Sequence, residues 1–523
     1  VDRVAAPPEV NVSNPISKVL QRVLDHPAIA RFQTSQHPVV IRSRAFVKTH
    51  PHVTERMLPQ DILAQHASVL GVGPGKLGQI LADDKSLPES LRRFLQPLKT
   101  DNKPTRTLTV AQQFTDEAFG SGKYTLEKSL GVGTVGETWR AVDASTGEGL
   151  AIKMLKDGVT PESVAREHQL LRSQIETFVN DAPQRQEALE YIDAFYAGIH
   201  KELRLDQEVL AARDLGASIT RARVAQPLAE GKDAAGHTIA FAMEEAPGLP
   251  LSKVQKMLKV YQSDPGTYAQ QFASEIERFP WLAQPEQWRE ALPTGYISTI
   301  SEQLYIPVKA GRKLMHGDPH GGNVFVDLLE GKPSFTYIDT GAVVERGMKD
   351  VAQDTQLMIN MATGNSKGLA AQFVRQADRL PAGADRKALI DQLALKLQFD
   401  LFASRVSLVS DDYAFSALSK SLNDLGVTLP ADKLMQLTAQ MQAVNVFGEL
   451  SAAAGGANRA DLIPLLLKDA SKGVGASLRQ APLSTVRSVS GPVAGALRDP
   501  AGTARVAGQF LGERAKPSLE LVA

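Results

Sequence analysis

Residues 315–326 read Met-His-Gly-Asp-Pro-His-Gly-Gly-Asn-Val-Phe-Val (MHGDPHGGNVFV), and they decide the fold. Asp318 and Asn323 stand five apart on a loop that runs into an apolar, β-prone stretch. A carboxylate at 318 can orient an attacking hydroxyl or accept its proton. An amide oxygen at 323 can ligate Mg2+. The competing interpretation is a metal site built from His316 and His320. Two histidines with no third ligand at a metal-binding spacing do not make a zinc site.

Downstream, NVFVDL (323–328), EGKP and SFTYID (334–339) read as a hairpin, and Asp339-Thr340-Gly341 closes its second strand. Taken alone, Asp-x-Gly is a simple turn. Sixteen residues after Asn323, its carboxylate points back at the loop and can bridge Mg2+ to phosphate oxygens.

Upstream, KYTLEKSLG, TVGETWRAVD and GLAIKML are three short strands from Lys123 onward, parted by Gly131–Gly136 and Ala144–Gly149. Gly131-x-Gly133-x-x-Gly136 alone is a weak signal, shared by dinucleotide sites and plain turns. A dinucleotide site needs a helix after the glycines. Here a second strand follows, which makes the run a hairpin whose backbone N–H groups can approach phosphates. Lys153, in Ala-Ile-Lys on the third strand, can neutralise the α/β-phosphates if a carboxylate holds it. Thr160-Pro161-Glu162 then starts a long helical stretch to about Leu215. HTIAFAMEE (237–245) is another strand, with Pro247-Gly248 as a hinge and Glu245 grouped with the nucleotide-contacting residues. Four signals in this order specify an α+β, bilobal, protein-kinase-like fold: a small antiparallel sheet, then a helical lobe carrying the H-x-D-x-x-x-x-N loop.

One segment narrows the family. Lys76-Leu77-Gly78-Gln79, followed by a polar turn, Leu87-Pro88-Glu89 and a helix, resembles the KxGQ segment that precedes the kinase-like domain in the UbiB/AarF atypical kinases. HGDPHGGN is similar to that family's HADPHPGN. The likeness covers roughly residues 60–345. It implies Mg-ATP as cofactor and Lys76, Gln79 and Glu202 as a regulatory contact. It also implies that the partner of Lys153 comes late: Glu208, in EVLAARDL, rather than Glu167, which becomes a helix-surface carboxylate. Two departures stand out. Arg204 occupies the position of the family's Asp after the first Glu, with Asp206 two further on. Gly131, Gly133 and Gly136 replace an alanine-rich loop, which favours more ordinary ATP use than the family norm.

Residues 1–45 read as a loose leader, 46–122 as a helical extension, 123–250 as the small lobe with inserted helices and 251–450 as the helical lobe. Residues 451–523 read as a basic tail, with seven Lys/Arg against two Asp/Glu over 471–516. The chain has 523 residues, 43% apolar and 22% charged, an ordinary globular balance. Its 58 basic and 58 acidic residues cancel, which excludes a global polycation for coating nucleic acid. The absence of Cys removes disulfides, thiolate catalysis and Cys-ligated metals. No stretch reads as a spanning helix and no signal peptide follows Val1, so a cytoplasmic protein is expected, with peripheral contact to an anionic membrane through the tail.

The expected function is an Mg2+/ATP-dependent atypical kinase or ATPase: Asp318 positions the nucleophile, Asn323 and Asp339 hold the metal, and Lys153 with Glu208 holds the nucleotide. Resemblance adds a link to isoprenoid-quinone biosynthesis, its proteins or lipid handling at a membrane. The alternatives are a small-molecule phosphotransferase of the aminoglycoside or choline kinase type, and a kinase-like effector or scaffold. KLGQ ahead of the fold argues against the first, and the intact polar set against the second.

Overall fold

A computed structural model describes residues 72, 73, 76, 104–180, 182–306, 313–347, most of 350–398, and 418, 421, 422, 424–454 and 469. The leader, Gln79 and nearly all of the basic tail lie outside the described residues. The chain divides into two compact units, one of Val1–Phe114, Leu126–Arg140 and Lys153–Leu203, the other of Thr115–Thr125, Ala141–Ile152 and Arg204–Ala523.

Helix α1 (Leu108–Phe119) leads into strands β1 (Tyr124–Val132), β2 (Gly136–Asp143) and β3 (Gly149–Leu155), at the positions expected from the Thr, Val and Trp enrichment. The first turn closes through Gly133 N–H donating to Gly136 O at 2.8 Å. With β5 (Pro227–Lys232) and β6 (Thr238–Glu244) these form a five-stranded sheet in the order β1-β2-β3-β6-β5. Strand β5 is an addition to the sequence reading. It carries Pro, Ala and two register shifts against β6, at Pro227/Ala229 and at Gly231/Lys232, the marks of a bulged edge strand rather than of a strong β-former.

The helical stretch after Thr160 is three helices, not one. They are α2 (Pro161–Phe178), α3 (Ala182–Glu202) and α4 (Leu205–Ser218). Thr160 caps α2 through a reciprocal box: Ser163 N–H donates to Thr160 Oγ1 at 3.1 Å and Thr160 N–H to Ser163 Oγ at 2.9 Å. Helices α2 and α3 are joined by Asp193, which accepts from Arg172 and from His168 Nε2.

In the second unit β4 (Arg223–Val224), β10 (Lys332–Tyr337), β9 (Val324–Leu329) and β7 (Leu249–Pro250) make a small sheet in that order. The β9–β10 hairpin turns on Glu330 (φ 51°) and Gly331 (φ 75°), the paired left-handed geometry of a two-residue hairpin loop. Gly248, at φ 83°, is pressed against β9: a Cβ there would lie 2.0 Å from Val326 O. That contact requires glycine, so Pro247-Gly248 anchors the chain to β9. Helices α5 (Leu251–Ser263), α6 (Pro265–Gln271), α7 (Ala273–Arg278) and α8 (Ala291–Tyr305) follow, more interrupted than their periodicity suggested because Pro265, Pro280 and Pro285 each restart the chain. The main core gathers Trp288, Tyr296, Phe335 and Tyr337 around α8. Strands β8 (Leu314–His316) and β11 (Val343–Glu345) pair antiparallel. Helices α9 (Ser366–Gln376), α10 (Arg386–Leu397) and α11 (Ala431–Ala453) complete the described chain, with Phe373 and Leu393 in a second apolar cluster. Among the described residues no helix is long and apolar enough to cross a membrane.

Candidate functional site

Within the second unit, three sequence-predicted polar residues are drawn together by backbone bonds. The β9–β10 register brings Asn323 opposite Ile338, whose N–H donates to Asn323 O at 2.9 Å, so Asp339 follows directly beside Asn323. Gly317 N–H donates to Ala342 O at 2.8 Å and ties the loop before Asp318 to the chain after Asp339. Asn323 Nδ2 donates to Asp318 O at 3.1 Å. That bond commits the amide nitrogen and leaves Oδ1 as the acceptor atom of a nearly buried side chain.

His316 is fully buried and serves the loop rather than a metal. Its Nε2–H donates to Ile338 O at 2.9 Å, and its Nδ1 accepts Asp318 N–H at 3.1 Å. Both nitrogens are spoken for, and burial holds its pKa below the usual value, so the ring is neutral. It stacks on Tyr337 at 5.2 Å. His320 accepts Gly322 N–H on Nδ1 at 3.0 Å, which puts its proton on Nε2, 3.6 Å from Asp318 Oδ2. The two histidines therefore shape the loop, and no group of three or more metal-ligating side chains occurs among the described residues. Three supports were not visible as site residues in the sequence. Tyr296 OH donates to Pro319 O at 2.7 Å, Gln303 Oε1 accepts His316 N–H at 2.9 Å, and Thr299 bonds Tyr337 OH at 2.5 Å. All three lie on α8 among ordinary helix positions, and only tertiary packing aims them at the loop.

Asp339 adopts φ 56°, a left-handed conformation that Asp tolerates better than most residues. Helix α4 presents Glu208, only 5% exposed, to the same place. Thr340 Oγ1 donates to Glu208 O at 3.1 Å. Asp339 Oδ1 and Glu208 Oε2 each lie 3.5 Å from where a Cβ on Gly341 would stand. Both carboxylates thus border the same spot beside Gly341. Glu245 pairs with Arg278 at 3.7 Å.

In the first unit, Lys153 lies on β3 with its Cγ and Cε 3.9 and 3.8 Å from the Cβ position of Gly136, an ordinary packing distance, while the tight neighbour there is Met154 O at 3.1 Å. Gly131 has nothing within 4 Å of its Cβ position, and Gly133 has only Gly136 O at 3.6 Å. Neither has a positive φ. Packing and backbone geometry do not demand glycine at either position. The donor set fits Mg2+, a hard cation that takes carboxylate and amide oxygens.

Glu167 is not the solvated helix-surface carboxylate expected of it. Its Oε1 accepts Gly73 N–H at 2.7 Å and Tyr196 OH at 2.9 Å. Lys76 Nζ sits 3.0 Å from Glu202 Oε1, the contact expected of the KLGQ segment. Arg204 does not intrude on it: its guanidinium grips Asp206 at 2.9 and 2.8 Å and holds that carboxyl down at about 2.

Residues 123–373 match the family model described as the ABC1 atypical kinase-like domain. No curated protein matches the chain.

Proposed function

We infer that this chain, which carries an ABC1 atypical kinase-like domain over residues 123–373, is an Mg2+- and ATP-dependent phosphotransferase or ATPase. The observation that carries this is the knitting of Asp318, Asn323 and Asp339 onto adjoining backbone segments, with oxygen donors for a hard cation. Asp318 orients the nucleophile and accepts its proton, while His320 Nε2 stands by its Oδ2. Asn323 Oδ1 and Asp339 hold the metal. Glu208, buried on α4, holds the Lys153 ammonium against the α/β-phosphates. Glu245, at the end of β6, contributes to nucleotide binding. Bound Mg2+ neutralises charge that develops on the transferring phosphoryl group.

Further steps rest on resemblance. KLGQ and HGDPHGGN support a role in isoprenoid-quinone biosynthesis or lipid handling, with peripheral attachment to an anionic membrane. ATPase measurement with and without anionic liposomes and quinone-precursor mimics tests that step, with stimulation by either as the expected result.

Two predictions test the core reading. A double-mutant cycle with Lys153→Met and Glu208→Gln, read as Mg-ATP affinity, is expected to show strong non-additivity, because either change alone leaves its partner charge uncompensated. The same cycle with Glu167→Gln is expected to be additive; coupling there instead would reassign the partner. Gly133→Ala adds a methyl that the protein itself has room for, so the variant folds normally. Its Mg-ATP turnover is expected to fall about tenfold, an amount set by phosphate approach. Rates equal to wild type would count against the glycine run as a phosphate loop.

A further inference from the structure

Glu137 directly follows the last glycine of the run, and it is fully buried. A buried carboxylate must be answered by donors. The donors here come from residues 105 and 106, well ahead of the matched domain. Thr105 donates its N–H to Glu137 Oε2 at 2.8 Å and its hydroxyl at 3.2 Å. Arg106 NH1 donates to Glu137 Oε1 at 2.7 Å. The same nitrogen also donates to Leu155 O, at 2.7 Å, where β3 ends. Asp157 N–H donates to Thr105 Oγ1 at 3.0 Å, and the Arg106 guanidinium lies 4.4 Å from the centroid of the Phe114 ring.

These bonds lock two points together. One is the start of β2, immediately after the glycine turn. The other is the end of β3, two residues beyond Lys153. Between them the Lys153 stem lies over Gly136. A shift of β2 along β3 moves the glycine loop relative to the Lys153 ammonium, and the Thr105–Arg106 strap reinforces the β2–β3 ladder against that shift. A planar guanidinium suits the task because one side chain serves a carboxylate and a carbonyl at fixed angles.

We propose that Arg106 and Glu137 are positioning residues for the nucleotide: they set the glycine loop against Lys153, and the functional nucleotide-binding unit begins near Thr105 rather than at residue 123. This rests on the reading of the glycine run and Lys153 as a phosphate site. It also makes Thr105 and Arg106, ahead of the matched residues, part of that site.

The test uses the full chain and Mg-ATP. Arg106→Ala and Glu137→Gln are expected to raise the KM and Kd for Mg-ATP about tenfold, with kcat at saturation within about twofold of wild type. Arg106→Lys restores part of the loss. Arg140→Ala removes a pair from β2 to Glu127 on β1, away from β3, and is expected to leave affinity unchanged. Hydrogen exchange on the wild type supplies a readout that needs no variant: Mg-ATP slows exchange in peptides covering 104–107 and 155–158. If wild type binds no Mg-ATP, the proposed function falls and this inference with it. If wild type binds and Asp339→Asn weakens binding, the proposed function stands. In that case, unchanged affinity in the Arg106 and Glu137 variants, or unchanged exchange at 104–107, overturns the strap alone.

Discussion

Asp339→Asn is expected to cut Mg2+-dependent ATP turnover by about 10²–10³-fold while leaving the melting temperature nearly unchanged. Two features of the residue separate cleanly. Its backbone sits at φ 56°, and Asn shares with Asp a tolerance for that region, so the amide keeps the fold. Its carboxylate borders the same spot beside Gly341 as that of Glu208, and the amide removes the negative charge there while keeping the shape. Stability therefore tracks the backbone and activity tracks the charge. Asp339→Ala is expected to lose the same activity and also about 1–2 kcal/mol of stability, the cost of a left-handed conformation for a residue without a short polar side chain. Asp339→Gly loses the activity without that cost. Turnover against Mg2+ concentration and thermal melts on the three variants check this together. An Asn variant that turns over near the wild-type rate would remove Asp339 from the metal site.

Much of this site is written locally in the sequence, because its parts are short and ordered. Asp318, Asn323 and Asp339 lie on one loop–hairpin–loop unit whose strands alternate and whose turn is Glu-Gly, so spacing alone puts them near each other. The three strands around Gly131–Gly136 were legible for the same reason. What was not legible depends on distant partners. Nothing in Glu167 reveals that Gly73, ninety-four positions earlier, donates to it. Glu137 shares a strand face with the buried Trp139 and Ala141, so alternation sets a carboxylate on the inner side without revealing that Arg106 answers it. Tyr296, Thr299 and Gln303 carry helical periodicity and look like core, and their polar ends find Pro319, Tyr337 and His316 only through tertiary packing. Strand β5 was missed because edge strands need little β-propensity when a neighbour supplies the pairing.

Gly73→Ala is expected to undock the KLGQ segment far more effectively than Lys76→Ala does. The Lys76–Glu202 pair looks like the specific contact, yet both side chains are about one-third exposed, and such pairs contribute ~0–1 kcal/mol. Arg204 adds nothing, since its charge is spent on Asp206. Gly73 is different. Its N–H donates to a carboxylate, a bond worth about 1.5–3 kcal/mol, and Val72 beside it is buried. A methyl on Gly73 would lie 2.1 Å from Tyr196 Oη and 2.6 Å from Glu167 Oε1. Tyr196 cannot yield, because it is fully buried and stacked on His168 at 4.7 Å. The segment must therefore lift, and the hydrogen bond and the Val72 burial go together. Limited proteolysis between residues 60 and 100 is expected to speed up about tenfold or more in Gly73→Ala and less than about threefold in Lys76→Ala. A Gly73→Ala chain as protease-resistant as wild type would show that Glu167 and Tyr196 do not anchor the segment.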